Sequence, residues 1–516
     1  MKVRKTGASC IWKSLCLLWI VWCSVPQCLL AGDYFQIRVI DAETKRGIPL
    51  VELETVNQIL YVTDSNGIAA VNEPGLINQE VYFRIRSHGY EYPADGFGYR
   101  GKKLQVTPGG KSVLEMKRVN LAERLYRVTG GGIYRDSLLT GEPVPLKKPV
   151  LNARVLGSDS VQDALFRGRV YWFWGDTNRP SYPLGNFQVP GAVSDLPDKG
   201  GLPIERGVNL DYFVDASGFA KKTCEMPGAG PTWIDALVTL KDKSGQERLF
   251  AKYVKVKAPL TVYERGLVEF NPETNQFEKR KVFDFDALLY PVGHPVRYEM
   301  EGTQYILFGL AYPLTRVPAN PKALADLSEY ATYSFLKPGS GNEDWIVERD
   351  AEGTLAYAWR KNVPPLDADL ERKLVQQGKI AADEAYCRFR DIETQQIVQI
   401  HNSSVAWNDY RNKWTMIASQ KNGTSMLGEI WYAEADSPLG PWKWGRKIVT
   451  HDRYSFYNPK QHPLFARDDG RLIYFEGTYT TLFSGNKVKT PRYDYNQIMY
   501  RLDLSDPRLD AKQFAQ

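Results

Sequence analysis

Short runs of alternating apolar and polar residues, broken by Gly, Asn, Asp and Pro, occupy most of this chain, and that period of two predicts half-buried strands. In the front part, Phe35-Gln36-Ile37-Arg38-Val39-Ile40, Ile59-Leu60-Tyr61-Val62-Thr63 and Val81-Tyr82-Phe83-Arg84-Ile85 read as strands, with a turn at Asp64-Ser65-Asn66-Gly67. Residues 32–118 are expected to form a small antiparallel β-sandwich. Residues 119–150 read as a linker, because Gly130-Gly131-Gly132, Pro143, Pro145 and Pro149 break any long element.

Beyond residue 150 one pattern recurs five times: a polar start, an apolar run, a turn, and a second strand rich in aromatics. The units centre on residues 157–176, 232–253, 293–309, 400–418 and 458–476, and third strands show at 263–271, 428–436 and 496–504. Repeated units of this kind predict an all-β fold, a five-bladed β-propeller over residues 151–510, because each sheet then buries its faces against its neighbours. A large β-sandwich with chance similarity among its hairpins is the competing architecture. Residues 337–395 read as an insertion with a helix around Leu366 to Gln377, where Leu366, Leu370 and Leu374 recur every fourth residue.

In a propeller the innermost strand of each blade starts at one rim and the second strand returns to it. Counting from the turn at Gly168 sets Asp159 opposite Asp176-Thr177. The same count sets Asp235 near Tyr253, Arg297 near Phe308, His401 near Gln420 and His462 near Glu476. One rim is therefore expected to gather three candidate catalytic carboxylates, Asp159, Asp176 and Glu476. Substrate-binding candidates around them are Asp235, His294, Arg297, His401, Asn402, Asn458, His462 and Trp233. Two carboxylates facing each other at short range push their pKa values apart, which makes one an acid and its partner a base. Taken singly, Asp159 and Asp176 are also what Asx-capped turns use, and His294-Pro and His462-Pro are also what structural histidines look like.

Charge changes the picture little: the net charge is +6 with no long Lys/Arg run, which argues against a nucleic-acid partner. The start of the chain changes it more. Lys2, Arg4, Lys5 and Lys13 precede the apolar run Leu15 to Val25, which is too short to span a bilayer, so residues 1–31 read as a signal peptide and the protein as secreted or periplasmic. Cys28 offers a lipid-anchored alternative, weakened by Gln27 before it. Four of the six cysteines lie in this segment, and the two that remain, Cys224 and Cys387, are too few for a disulfide framework and read as two buried thiols, with a bond between them left open. No metal or nucleotide motif stands out, so no cofactor is expected and a structural calcium stays open.

Three stretches carry a family resemblance. Leu156 to Asn178 (LGSDSVQDALFRGRVYWFWGDTN) resembles the opening blade of DUF4185 propellers, some of which are arabinan hydrolases. Gly428 to Trp442 (GEIWYAEADSPLGPW) and Tyr457 to Tyr479 (YNPKQHPLFARDDGRLIYFEGTY) resemble blade phrases of five-bladed glycoside hydrolases of families 43, 32 and 68. In front, "VIDAETKRGIPLVELETVNQILYVTDSNGIAAV" resembles the transthyretin-like, carboxypeptidase-regulatory-like modules of secreted proteins. The resemblance implies a secreted glycoside hydrolase acting on a polysaccharide or oligosaccharide by carboxylate acid/base catalysis. The chain departs from the family 43 pattern in unit three, where His294 and Arg297 stand in place of a general-acid Glu. That departure keeps a non-catalytic glycan-binding or cell-envelope interaction propeller as the alternative.

Overall fold

A computed structural model describes residues 33–339, 344–451, 454–492, 494–510, 512 and 514, so the signal segment lies outside the described residues. The chain is all-β with few and short helices.

The front strands pair as two four-stranded sheets. Phe35–Asp41 lies parallel to Lys111–Arg118 and antiparallel to Ile68–Val71. Glu52–Thr55 pairs with Leu60–Val62 and with Glu80–Arg86, whose other edge holds Gly101–Gln105. Alternation sets the faces: Val81, Phe83 and Ile85 are buried while Glu80, Arg84 and Arg86 are exposed. One core contains Ile37, Val39 and Met116 of the first sheet with Leu53, Phe83 and Ile85 of the second. Gly67 closes the Asp64 turn at φ +74, and a Cβ there would meet the Val39 carbonyl oxygen at 2.4 Å.

Behind them, five larger sheets of four or five strands follow in chain order, built mainly from strands that neighbour one another in sequence, and two smaller sheets lie among them: Gly157–Ser158 with Thr177–Arg179 and Tyr182–Asn186, and Leu336–Lys337 with Ile346–Val347. Their central strands are Arg169–Phe173, Glu247–Lys257, Thr303–Phe308, Lys413–Lys421 and Leu472–Thr480. The apolar clusters link these sheets in succession. Phe173 packs with Val268 and Phe270. Phe250 packs with Ile306 and Phe308. Leu307 shares a cluster with Met416 and Trp431, and Ile417 and Tyr432 share one with Phe475 and Tyr500. The last link returns to the first sheet, where Tyr474 and Met499 lie with Val170 and Trp172.

Residues 119–150, expected as a linker, are structural. Glu123–Arg127 is buried along its whole length and pairs antiparallel with Asn496–Asp503, as the outer strand of the fifth sheet. That edge would otherwise expose unpaired backbone groups. The front sheets are tied to the same region: Ser65 N–H donates to Ile133 O (2.9 Å), Ala70 N–H to Asp136 Oδ1 (3.1 Å), and Arg492 Nη2 lies 2.6 Å from Asp136 Oδ2.

Within 337–395 the helix spans Ala368–Gln376, with Asp367 as its cap accepting from Leu370 N–H at 2.8 Å. Flanking strands of this segment join the third and fourth sheets. Cys224 and Cys387 are free thiols.

Candidate functional site

The first hairpin turns at Arg167-Gly168, both with positive φ, as the tight turn between right-twisted strands requires. Its far end brings two aspartates together: Asp159 N–H donates to Asp176 O (3.0 Å) and Gly175 N–H to Asp159 O (2.8 Å). Gly175 is needed there, since a Cβ would lie 2.1 Å from Asp159 Oδ1. Asp159 Oδ2 accepts from the Tyr457 hydroxyl (3.1 Å), and Asp176 Oδ1 accepts from Trp233 Nε1 (2.9 Å). Both aspartates are only partly exposed. Burial, with the Asp176 charge beside it, pushes Asp159 up to about 8, although the Tyr457 hydrogen bond opposes the shift. Burial lifts Asp176 to about 6 against the Trp233 hydrogen bond. The pair titrates as a unit, with one carboxyl protonated and one ionised at neutral pH.

Asp159 lines a cavity of about 360 Å³ whose walls come from all five sheets, with Trp233, Asp235, His294, Asn402, Tyr457 and Asn458 among the lining residues. Side-chain hydrogen bonds run around it from sheet to sheet. Asn402 Nδ2 donates to Asn458 Oδ1 (3.2 Å) and Asn458 Nδ2 to Ser160 Oγ (2.5 Å). Trp233 joins the second sheet to the first, and Gly293 N–H reaches Asp235 Oδ2 at 3.4 Å. Ser160, Ala236 and Asn458 all hold positive φ at or beside these inner-strand starts, strain of a kind that gathers at functional sites.

Asp176, His462, Glu476, Arg297 and His401 are not among the residues that line this cavity. His462 and Glu476 are fully buried one layer deeper and do not line the cavity. There His462 Nδ1 is 3.3 Å from Asp163 and its Nε2 3.4 Å from Glu476, while Lys460 lies 3.7 Å from Asp163. Burial opposes charging His462, yet the two carboxylates raise it to about 9. Burial likewise opposes ionising Asp163, but Lys460 and His462 hold it at about 2, and burial keeps Glu476 above the ordinary carboxylate range. Arg297 is the second residue of the strand Val296–Met300 and donates to the Thr239 carbonyl, outside the cavity. His401 neighbours Asn402 at a register shift between Ile400 and Asn402, and it lines an adjoining cavity of about 710 Å³, which meets the first at Leu310. His294 lies in the wall, and burial holds it well below its ordinary pKa, as the neutral imidazole.

The count across the second hairpin misses Lys252. A bulge between Asp235 and Val238, with Ala236 at φ 54, shifts the register so that Lys252, not Tyr253, faces Asp235. Lys252 Nζ then lies 2.9 Å from Asp235 Oδ1. No local sequence signal marks that bulge. Among the described residues no group of three or more His, Cys, Asp or Glu could hold a metal ion.

No family model matches the chain, and no curated protein matches it. Solved structures with a partial likeness include a hydrolase candidate from Bacteroides ovatus (13% identity over 68% of this chain and 86% of that one, TM-score 0.42). An exo-β-1,3-galactanase from Phanerochaete chrysosporium, solved with galactose, shows 9% identity over 74% of this chain and 65% of its own (TM-score 0.35). The α-L-arabinanase of Cellvibrio cellulosa shows 9% identity over 67% and 92% (TM-score 0.34). Likenesses this weak carry neither fold nor activity across, and the functional reading rests on the site itself.

Proposed function

We propose that this chain is a secreted glycoside hydrolase built on a five-bladed propeller, with residues 32–118 as a β-sandwich in front of it. The propeller reading is supported by five larger sheets in chain order whose apolar clusters run from each to the next and from the fifth to the first. A ring of this kind converges the inner-strand starts on one axis, which is where the cavity lies.

The observation that carries the activity is the Asp159–Asp176 pair: Asp159 lines a cavity of hydrogen-bonding side chains, and Asp176, behind that lining, is held by Trp233, which lines it too. Glycoside hydrolysis needs one carboxyl to protonate the leaving oxygen and one carboxylate for water or the anomeric carbon. Asp159, near 8, keeps its proton at neutral pH and is assigned as the acid. Asp176, near 6, is assigned as the carboxylate. Trp233 orients Asp176 and Tyr457 orients Asp159 through the hydrogen bonds described above. Asn402, Asn458 and Ser160 offer donors and acceptors to sugar hydroxyls, and half-buried Trp233 offers a ring face. Asp235 is neutralised by Lys252 and is assigned to substrate positioning. Glu476 and His462 are assigned to holding the layer beneath.

Reducing-sugar release from a panel of plant, algal and bacterial polysaccharides tests this directly. Turnover that is lost in Asp159→Asn and Asp176→Asn supports the assignment. Binding without turnover selects a glycan-binding protein instead, and wild-type turnover in both variants removes the pair from the chemistry.

A further inference from the structure

A third cavity, of about 590 Å³, shares no lining residue with the Asp159 cavity and adjoins the 710 Å³ one at Ala385 and Arg388. In the fourth sheet, Ile400–Asn408 starts at the Asp159 cavity through Asn402 and runs away from it, Lys413–Lys421 returns, and Leu427–Ala435 runs away again. The loop 437–442 that follows is thus at the opposite end of the sheet, and it forms one wall. Tyr333 of the third sheet and Tyr357 and Tyr386 of the 337–395 segment form another.

Three features of this cavity point to a ligand. The first is an aromatic wall: the half-buried rings of Tyr333 and Tyr357 stack at 5.4 Å and 23°, and Tyr386 lies 5.9 Å from Tyr357, tilted 49° to it. The second is a pair of unused donors. Trp442 Nε1 and Tyr386 Oη are buried without a hydrogen-bond partner, and Trp442 is only 1% exposed. Burying such groups unpaired costs roughly 1–3 kcal/mol each, so a ligand that accepts from them gains what the free protein lacks. They flank one point, since a Cβ on Gly440 would lie 2.9 Å from Tyr386 Oη and 2.8 Å from Trp442 Cδ1. The third is charge. Arg388, Arg390 and Lys443 line the cavity against Asp383 and Glu384, and Glu384 is already held by Arg349, with its Oε2 2.9 Å from Nη2. Net positive charge is left for an anion.

We infer that this cavity is a second carbohydrate-binding site, one that takes an acidic saccharide unit such as a uronate. A pyranose ring lies flat on aromatic faces, its oxygens accept from the indole N–H and phenol O–H, and its carboxylate meets the cationic wall. Neither aspartate of the candidate active site takes part, so this inference stands or falls apart from the hydrolase reading.

Affinity electrophoresis through gels holding polygalacturonate, with its methyl ester and neutral galactan as controls, tests it. All proteins carry Asp159→Asn, so that turnover does not consume the polymer. Retardation by polygalacturonate is expected, with affinity reduced about fivefold or more by Tyr386→Phe with Trp442→Phe. Lys443→Ala, at an exposed position, is expected to weaken retardation without altering the melting temperature. Absence of retardation overturns the inference, as does equal retardation of folded Tyr386→Phe/Trp442→Phe and parent. Equal affinity for the methyl ester overturns the anionic preference. Reducing-sugar release by the wild type is scored separately and decides only the hydrolase reading.

Discussion

Asp159→Asn is expected to stabilise this protein at alkaline pH while removing its activity. The folded chain raises Asp159 from 3.8 to about 8, so it binds a proton that the unfolded chain releases. A carboxyl raised in this way favours the folded state below its unfolded pKa, and that contribution is lost as pH rises through the folded one. At about 1.4 kcal/mol per pKa unit, the full effect near pH 7 is about 4 kcal/mol. Asp176 shares the proton and solvent in the cavity screens the charge, which leaves roughly 1–2 kcal/mol. Asparagine keeps the shape and cannot ionise. Its melting temperature should exceed that of the wild type by about 1–2 °C at pH 8 and match it near pH 4. Turnover of the responsive polysaccharide should fall by about 10²–10⁴, the usual worth of a general acid. A melting-temperature difference that does not change between pH 4 and pH 8, or a variant less stable at pH 8, would refute the buried-pair account. Such a result would mean that Asp159 closes a turn and does not titrate in the pH window claimed for it.

Trp233→Phe removes the donor that holds Asp176 down, so the acid limb of the pH–rate profile should move to higher pH by about half a unit or more; an unmoved limb excludes Asp176 as the ionised partner. His462→Asn breaks a buried ion cluster and should cost about 3–5 kcal/mol in denaturant unfolding at pH 7. Because His462 is raised to about 9, its contribution is full below 6.5 and fades as pH rises through 9, and the difference between variant and wild type should shrink over that range. Glu476→Gln should leave kcat/KM within about twofold, because Glu476 is sealed from the cavity; a large loss would restore it to the chemistry.

Short-range patterning carried much of this protein. The period of two, broken by turns, is enough to mark an all-β chain, because a half-buried strand must alternate its side chains whatever lies beyond it. A two-residue turn at Gly168 fixes its own register, so the meeting of Asp159 with Asp176 follows from counting along one hairpin. Tertiary structure decided what counting could not reach. Glu123–Arg127 completes a sheet by pairing with a strand more than 350 residues away, and nothing in its neighbours announces that partner. The bulge beside Asp235 slips one hairpin by a residue and so exchanges Tyr253 for Lys252. Depth was equally hidden: Asn402 and Glu476 both come from inner hairpins, yet one faces the cavity and the other is sealed under it with His462. Burial depends on how sheets pack against one another, a sum of contacts between segments remote in sequence, and local periodicity carries no term for it.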